Sequence, residues 1–228
     1  MTTILALESS ADACSVALLR AGEIRQLFEL APRQHTKLML PLVDRLLQES
    51  GCELSDIDAY AFGAGPGSFT GLRIAVGLVQ GLAFAVDRPV VAVPSLHAMA
   101  LTAVRTLGLA PGQHIAVAVD ARMDEVYWAC FTSTVDGAEP LDEVEILPLA
   151  AVPQLQGGFV AVGSAWGLEA LAPMAVHATA VYHDLPPQAY DLLPLALQRL
   201  ELGETTSAAD AVPEYVRNTV SWKKLSEQ

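Results

Sequence analysis

GAGPGSFTGLRIAVG, residues Gly63 to Gly77, joins a glycine-rich turn to an apolar run of helical length. A turn of this kind leaves backbone N–H groups at a helix start, an arrangement that attracts anions. The spacing of Gly65, Gly67 and Gly71 is GxGxxxG with Pro66 inside it, so the dinucleotide fingerprint GxGxxG is not matched. A Walker A loop is excluded because no Lys followed by Ser or Thr comes after the last glycine. A serine-hydrolase elbow is excluded as well, since Thr70 stands where the second glycine after Ser68 would be needed. Three readings remain: a turn capped by Ser68 or Thr70, a surface for a partner, and a phosphate site.

The run behind the loop predicts a helix over Thr70 to Val86. Gly77 and Gly81, four residues apart, share one face, and each costs up to about 1 kcal/mol relative to Ala in a helix interior. Close packing against another backbone would offset that cost. The neighbour is either the strand below or a helix of another subunit.

Working outward, TILALE, CSVALL and IRQLFEL read as three strands joined by tight turns. Thr36 to Glu49 reads as a helix, with Met39, Val43, Leu46 and Leu47 on one face and Pro41 inside it. DAYAF and PVVAV are further strands, and Ser95 to Leu107 a third helix. The order β β β α β α β α implies a mixed sheet with helices on both faces. Pro111 and Gly112 mark a boundary, giving lobes over residues 1–108 and 109–228. HIAVAVD and EVYWACF, joined through ARMD, begin the second lobe with hairpin strands as the first does. VEIL and GGFVAVG follow, with short helices at Trp166 to Met174 and Leu192 to Leu202, before a mobile tail.

Leu38 and Leu42 lie on a different stripe of the Thr36 to Glu49 helix from its core residues, and Leu78, Leu82 and Ala85 give the next helix a similar surplus. One sheet cannot cover both stripes, so the two helices are expected to meet another protein.

With 26 acidic against 13 basic residues in 228, the formal charge is −13, which excludes a broad phosphate-neutralising surface. Cys14, Cys52 and Cys130 show no metal or redox spacing. No secretory leader and no apolar stretch of about 20 residues is visible, so a soluble cytoplasmic protein is expected.

GAGPGSFTGLRIAVGLVQGLAF, ILALESS, HTKLMLPLVDRLL, DARMDEVYWACF and PEYVRN together resemble the bacterial TsaB (YeaZ) family over nearly the full chain. The resemblance implies a two-lobed α/β fold of the actin, Hsp70 and sugar-kinase type, with RNase H-like lobes and a reduced second lobe. It also implies a part in making N6-threonylcarbamoyladenosine at position 37 of tRNAs that read codons starting with A. The implied role is non-catalytic: the chain pairs with a TsaD-type catalytic subunit, a TsaE-type ATPase joins, a homodimer forms when TsaD is absent, and tRNA is reached through the complex. Leu38, Leu42, Arg73, Gly77, Leu78, Gly81 and Leu82 are the residues expected at that interface.

Glu8, Ser9 and Ser10 keep part of the superfamily's ligand pattern after the first strand and are weak cofactor candidates. DARMDE replaces the glycine-rich phosphate loop of catalytic members, and its three carboxylates would repel a triphosphate. The positions that carry a metal-binding histidine pair in TsaD-type proteins correspond to Ser95 and Met99, with His97 on another face. Neither a metal nor a cofactor is therefore expected. Arg217, Asn218, Lys223 and Lys224 form a basic edge that either clasps the tail to the first lobe or touches a partner.

Overall fold

The computed structural model describes residues 1–214 and Val216; Tyr215 and the basic edge lie outside the described residues. Strands β1 (Ile4–Glu8), β2 (Ala13–Arg20) and β3 (Glu23–Leu30) form an antiparallel meander. Strands β4 (Ala59–Gly65) and β5 (Val90–Pro94) then add in parallel beside β1, giving the order β3-β2-β1-β4-β5. The second sheet repeats this plan. Strands β6 (His114–Arg122), β7 (Glu125–Ser133) and β8 (Ala138–Pro140) are its antiparallel meander, and β9 (Glu145–Pro148) also pairs with β7. Strands β10 (Phe159–Val162) and β11 (Ala180–Tyr182) run parallel beside β6, so the order β11-β10-β6-β7-β8 is the first sheet's order read backwards. The hairpin echo in the sequence is thus a duplicated topology.

The helices begin and end where local chemistry allows. Helix α1 (His35–Ser50) runs through Pro41 and stops at Gly51, which takes the left-handed conformation. Helix α2 (Phe69–Val86) is capped by Ser68, whose Oγ accepts from the Gly71 N–H at 3.2 Å, so Ser68 and not Thr70 is the N-cap. Helix α3 (Ser95–Leu107) closes on left-handed Gly108. Between Trp166 and Met174 the chain forms 3₁₀ turns and the single-turn α4 (Ala172–Ala175). The last helix, α5 (Ala189–Glu201), starts three residues before the predicted Leu192, and Pro194 lies inside it.

Packing crosses the expected lobe boundary. Helices α1 and α2 cover one face of the first sheet around Leu5, Leu7, Tyr60, Phe62 and Val79. Its other face is covered by α5, through Ala189, Leu192, Leu193 and Ala196 against Ile4, Ala61 and Val93. Helix α3 instead buries Leu96, Met99, Ala100 and Ala103 in the second sheet's core. Division at residue 108 separates the strands of the two sheets, while one helix from each half serves the other lobe. The segment after α5 also returns to the first lobe. Thr206 bridges Val90, Gln80 Nε2 donates to Ala211 O at 2.8 Å, and Glu214 N donates to Ala64 O at 2.8 Å.

An ion pair locks this crossing. Asp191, 4% exposed, receives Arg105 Nε and Nη2 at 2.9 and 2.7 Å and the Thr102 hydroxyl at 2.7 Å. Arg105 also reaches Gln188, which receives Gln26 Nε2 of β3 at 2.9 Å. Removing Arg105 leaves a buried carboxylate with one hydroxyl donor. Arg105→Met should cost about 2–3 kcal/mol in urea unfolding, the low side of a buried pair because a third of the arginine is exposed. A loss below about 0.5 kcal/mol would show that the lock contributes little.

Candidate functional site

The glycine loop is held by steric necessity against the turn after β1. Glu8, 1% exposed, accepts the Ser10 N–H at 2.5 Å and the Ser95 hydroxyl at 3.2 Å, while Ser95 Oγ accepts the Gly65 N–H at 3.1 Å. Ser9 Oγ donates to Gly71 O at 2.8 Å, and Ser68 N donates to Ser10 O at 2.7 Å. A Cβ on Gly63 would overlap the Glu8 carboxylate, and one on Gly71 would overlap Ser9 O. These glycines exist because two chain segments touch there, which is a third use of glycine beside turns and phosphate cradles. Glu8, Ser9 and Ser10, the weak cofactor candidates, are buried with these bonds made inside the fold, and of the three only Ser10 reaches the cleft.

That cleft lies between the lobes, at the carboxyl ends of β1, β4, β5, β6 and β10, and has a volume of about 590 Å³. Its apolar walls include Met99, Val119, Tyr127, Leu185 and Pro186. Asp12, Asp120 and Asp184 supply its carboxylates, and Arg122 is paired with Asp120 at 2.9 Å. At the β6–β7 turn Arg122, Met123 and Asp124 all take positive φ, 63°, 57° and 59°. Three consecutive non-glycine residues in that region are strained. The carboxylates and this turn leave no glycine cradle for a triphosphate.

Ser95 and Met99 sit where the resemblance places a metal-binding pair, and both line the cleft. Ser95 is already bonded to Glu8 and Gly65. Among the described residues no three His, Cys, Asp or Glu side chains converge as a metal site. His97 turns away to Ala138 O at 2.8 Å and packs on Phe131, and burial lowers its pKa. Burial pushes the Cys14 thiol up to about 11 and Cys130 to about 12, so neither is a thiolate at neutral pH.

The second feature is the outer face of α2. Among the described residues, a Cβ added to Gly77 or Gly81 meets nothing within 4 Å, so neither glycine is explained by a described neighbour. Arg73 shares that exposed face, and its guanidinium lies 3.8 Å from the Phe69 ring centroid. Phe84, 76% exposed, continues the stripe, yet the sequence reading passed over it although it follows Gly77 by seven residues. By length and composition α2 could cross a membrane, but Leu72, Ala75, Val76, Val79 and Ala83 are buried on the sheet. Leu78 and Leu82 of α2 and Leu38 of α1 are half-buried against the core under these helices. Leu42 corrects the expectation: it is 3% exposed and belongs to the core. Helix α1 lies on β2 and β3 with α2 along its side, so a wider arc of it is covered than one sheet alone would cover.

Two outcomes follow from the loop. Desolvation by burial raises the Glu8 pKa above its ordinary value, against hydrogen bonds from Ser10, Ser95 and Ser9 that lower it. The folded state therefore favours the protonated carboxyl, and its stability contribution is full below the unfolded pKa and is lost as pH rises through the folded one. Thermal unfolding of Glu8→Gln should gain on the parent chain between pH 4 and pH 7; a constant difference would refute this. Gly63→Ala should cost 3 kcal/mol or more, and much less in a Glu8→Ala background, because the clash is with that side chain.

Comparison with known proteins agrees with this architecture. Residues 28–145, just over half of the chain, match the family model described as TsaD: tRNA N6-adenosine threonylcarbamoyltransferase. The chain is 41% identical over 230 aligned residues to the Escherichia coli tRNA threonylcarbamoyladenosine biosynthesis protein TsaB, covering 97% of each. The Haemophilus influenzae protein of that name is 40% identical, with 98% of this chain and 97% of that one covered. The solved structure of YeaZ from Pseudomonas aeruginosa superposes with a TM-score of 0.82 at 42% identity, over 94% of this chain and all of that one. The duplicated sheets, the loop that pins α2 and near-full-length identity converge, and the chain belongs to the TsaB (YeaZ) family.

Proposed function

We propose that this chain serves tRNA N6-threonylcarbamoyladenosine formation as a non-catalytic subunit. It pairs through the α1 and α2 face with a TsaD-type catalytic chain, a TsaE-type ATPase joins the pair, and the same face closes a homodimer when the chain is alone. It touches tRNA only through the complex and works in the cytoplasm. The names of the relatives support the pathway. The observation that carries the subunit role is the open stripe of Gly77 and Gly81, flanked by Arg73, Leu78, Leu82 and Phe84. Two interior glycines weaken α2 by roughly 1 kcal/mol each, and a closely approaching backbone from another chain is what offsets that cost.

A free-standing kinase-like ATPase or protease is the competing reading. Against it stand the carboxylate-bearing cleft, the strained turn in place of a phosphate loop, and a Ser68 hydroxyl that caps α2. Calorimetric saturation by ATP and Mg²⁺ at micromolar affinity, with turnover by the purified chain alone, would favour it.

Gly81→Ala should stabilise the isolated monomer by about 0.5–1 kcal/mol, since its methyl group meets nothing among the described residues, while weakening association. Gly81→Glu should abolish pairing, read as mass by light scattering, with the circular dichroism of the fold retained. In a mixture of TsaD-type and TsaE-type proteins with tRNA, modified adenosine should require this chain and fail with Gly81→Glu. Full modification without the chain would overturn the reading.

A further inference from the structure

Phe69 belongs to two surfaces. It is 57% exposed, lines the inter-lobe cleft and stacks with Arg73, one turn further along the open face of α2. Thr70 lines the cleft as well, so the helix face runs into the cleft mouth without an intervening element. Leu30, at the end of β3 and 68% exposed, also lines the cleft.

The interior of the cleft has a definite chemistry. Met99, Val119, Tyr127, Leu185 and Pro186 give it apolar walls, and its volume of about 590 Å³ lies within the range of occupied sites. Of its lining residues, Asp12, Asp120 and Asp184 carry carboxylates and Arg122 is the one Lys or Arg, a balance of three negative charges against one positive. Arg122 is paired with Asp120, and His183, which also lines the cleft, lies 3.0 Å from Asp184. A phosphorylated ligand would be repelled, and a bare cation would leave the apolar walls unused. A polypeptide segment that sets a Lys or Arg among apolar residues uses both, with its stem on the walls and its head at the carboxylates.

We propose that the inter-lobe cleft is an extension of the α2 docking face, and that it receives a basic side chain on an apolar segment of the polypeptide that docks there. This rests on the pairing reading above. Asp12 and Asp184 are exposed, neither side chain accepts in the contacts that hold the loop, and Asp184 faces the exposed His183 ring, so both can be changed to Asn without disturbing the fold.

The test compares association of the full-length chain, with itself and with the TsaD-type chain, at about 50 and 300 mM salt. Asp12→Asn/Asp184→Asn should weaken pairing about tenfold at low salt and flatten its salt dependence, with unfolding unchanged. A second readout places a thiol in the cleft as Ser164→Cys, using the parent chain's own cysteines as the blank. Its reaction with a maleimide should slow at least tenfold in the complex. If pairing occurs with the parent salt dependence in the double variant and an equally reactive Cys, the cleft inference is overturned while the α2 reading stands. If the parent chain pairs with neither, both fall together.

Discussion

The contact between the glycine loop and the turn after β1 is the constraint on which the rest of the molecule depends. Backbone meets backbone at Ser9 and Gly71 and at Ser10 and Ser68, and a buried carboxylate fills the space that a side chain on Gly63 would take. Because α2 begins inside this contact, its first turn has no freedom to tilt or slide. The direction of the helix over the sheet, the residues it leaves outside and the floor of the cleft are consequences of one steric fit. Glu8 contributes by being buried: one oxygen accepts from Ser10 in the turn after β1 and the other from Ser95 of α3, and the cost of desolvating them is accepted for a fixed geometry.

Helix α2 divides its labour by face. Its sheet side is apolar and close-packed, which supplies the tertiary stabilisation that a helix with two interior glycines lacks on its own. On its outer side, among the described residues, nothing packs on Gly77 or Gly81. Alanine at Gly77 and Gly81 would favour the helix of this monomer, so the two glycines carry a cost that the described fold does not offset.

The periodic parts of this fold were legible in the sequence. The strands of the first sheet and α1 to α3 follow from alternation, 3.6-residue spacing and the glycines and proline at their ends, and α3 runs over the predicted residues. Less legible was what depends on neighbours distant in sequence. Nothing in the spacing of Leu38 and Leu42 says that α1 sits in a groove, so both read as surplus, and only the packing shows Leu42 within the core. The return of α5 to the first sheet is equally hidden, because its apolar stripe would suit either sheet. The loop shows a different limit: glycine spacing resembles a ligand cradle whether the close neighbour is a phosphate or the carbonyl of Ser9. Phe84 carried a signal that periodicity could have found, since it extends the Gly77 and Gly81 stripe by one turn.

The duplicated topology brings the carboxyl ends of the parallel strands of both lobes to one crevice, the place where α/β folds hold ligands. The crevice persists because the two sheets and the helices exchanged between them still define it, whatever chemistry lines it. Asp191 and Arg105 fix α5 against α3, one helix from each half, so the walls keep a set relation to each other. The crevice is lined by Asp12, Asp120 and Asp184 and bordered by the strained turn of Arg122, Met123 and Asp124, and it keeps the shape and depth of a ligand site. Under the proposed pairing, that shape and the α2 face at its mouth would together receive part of another protein.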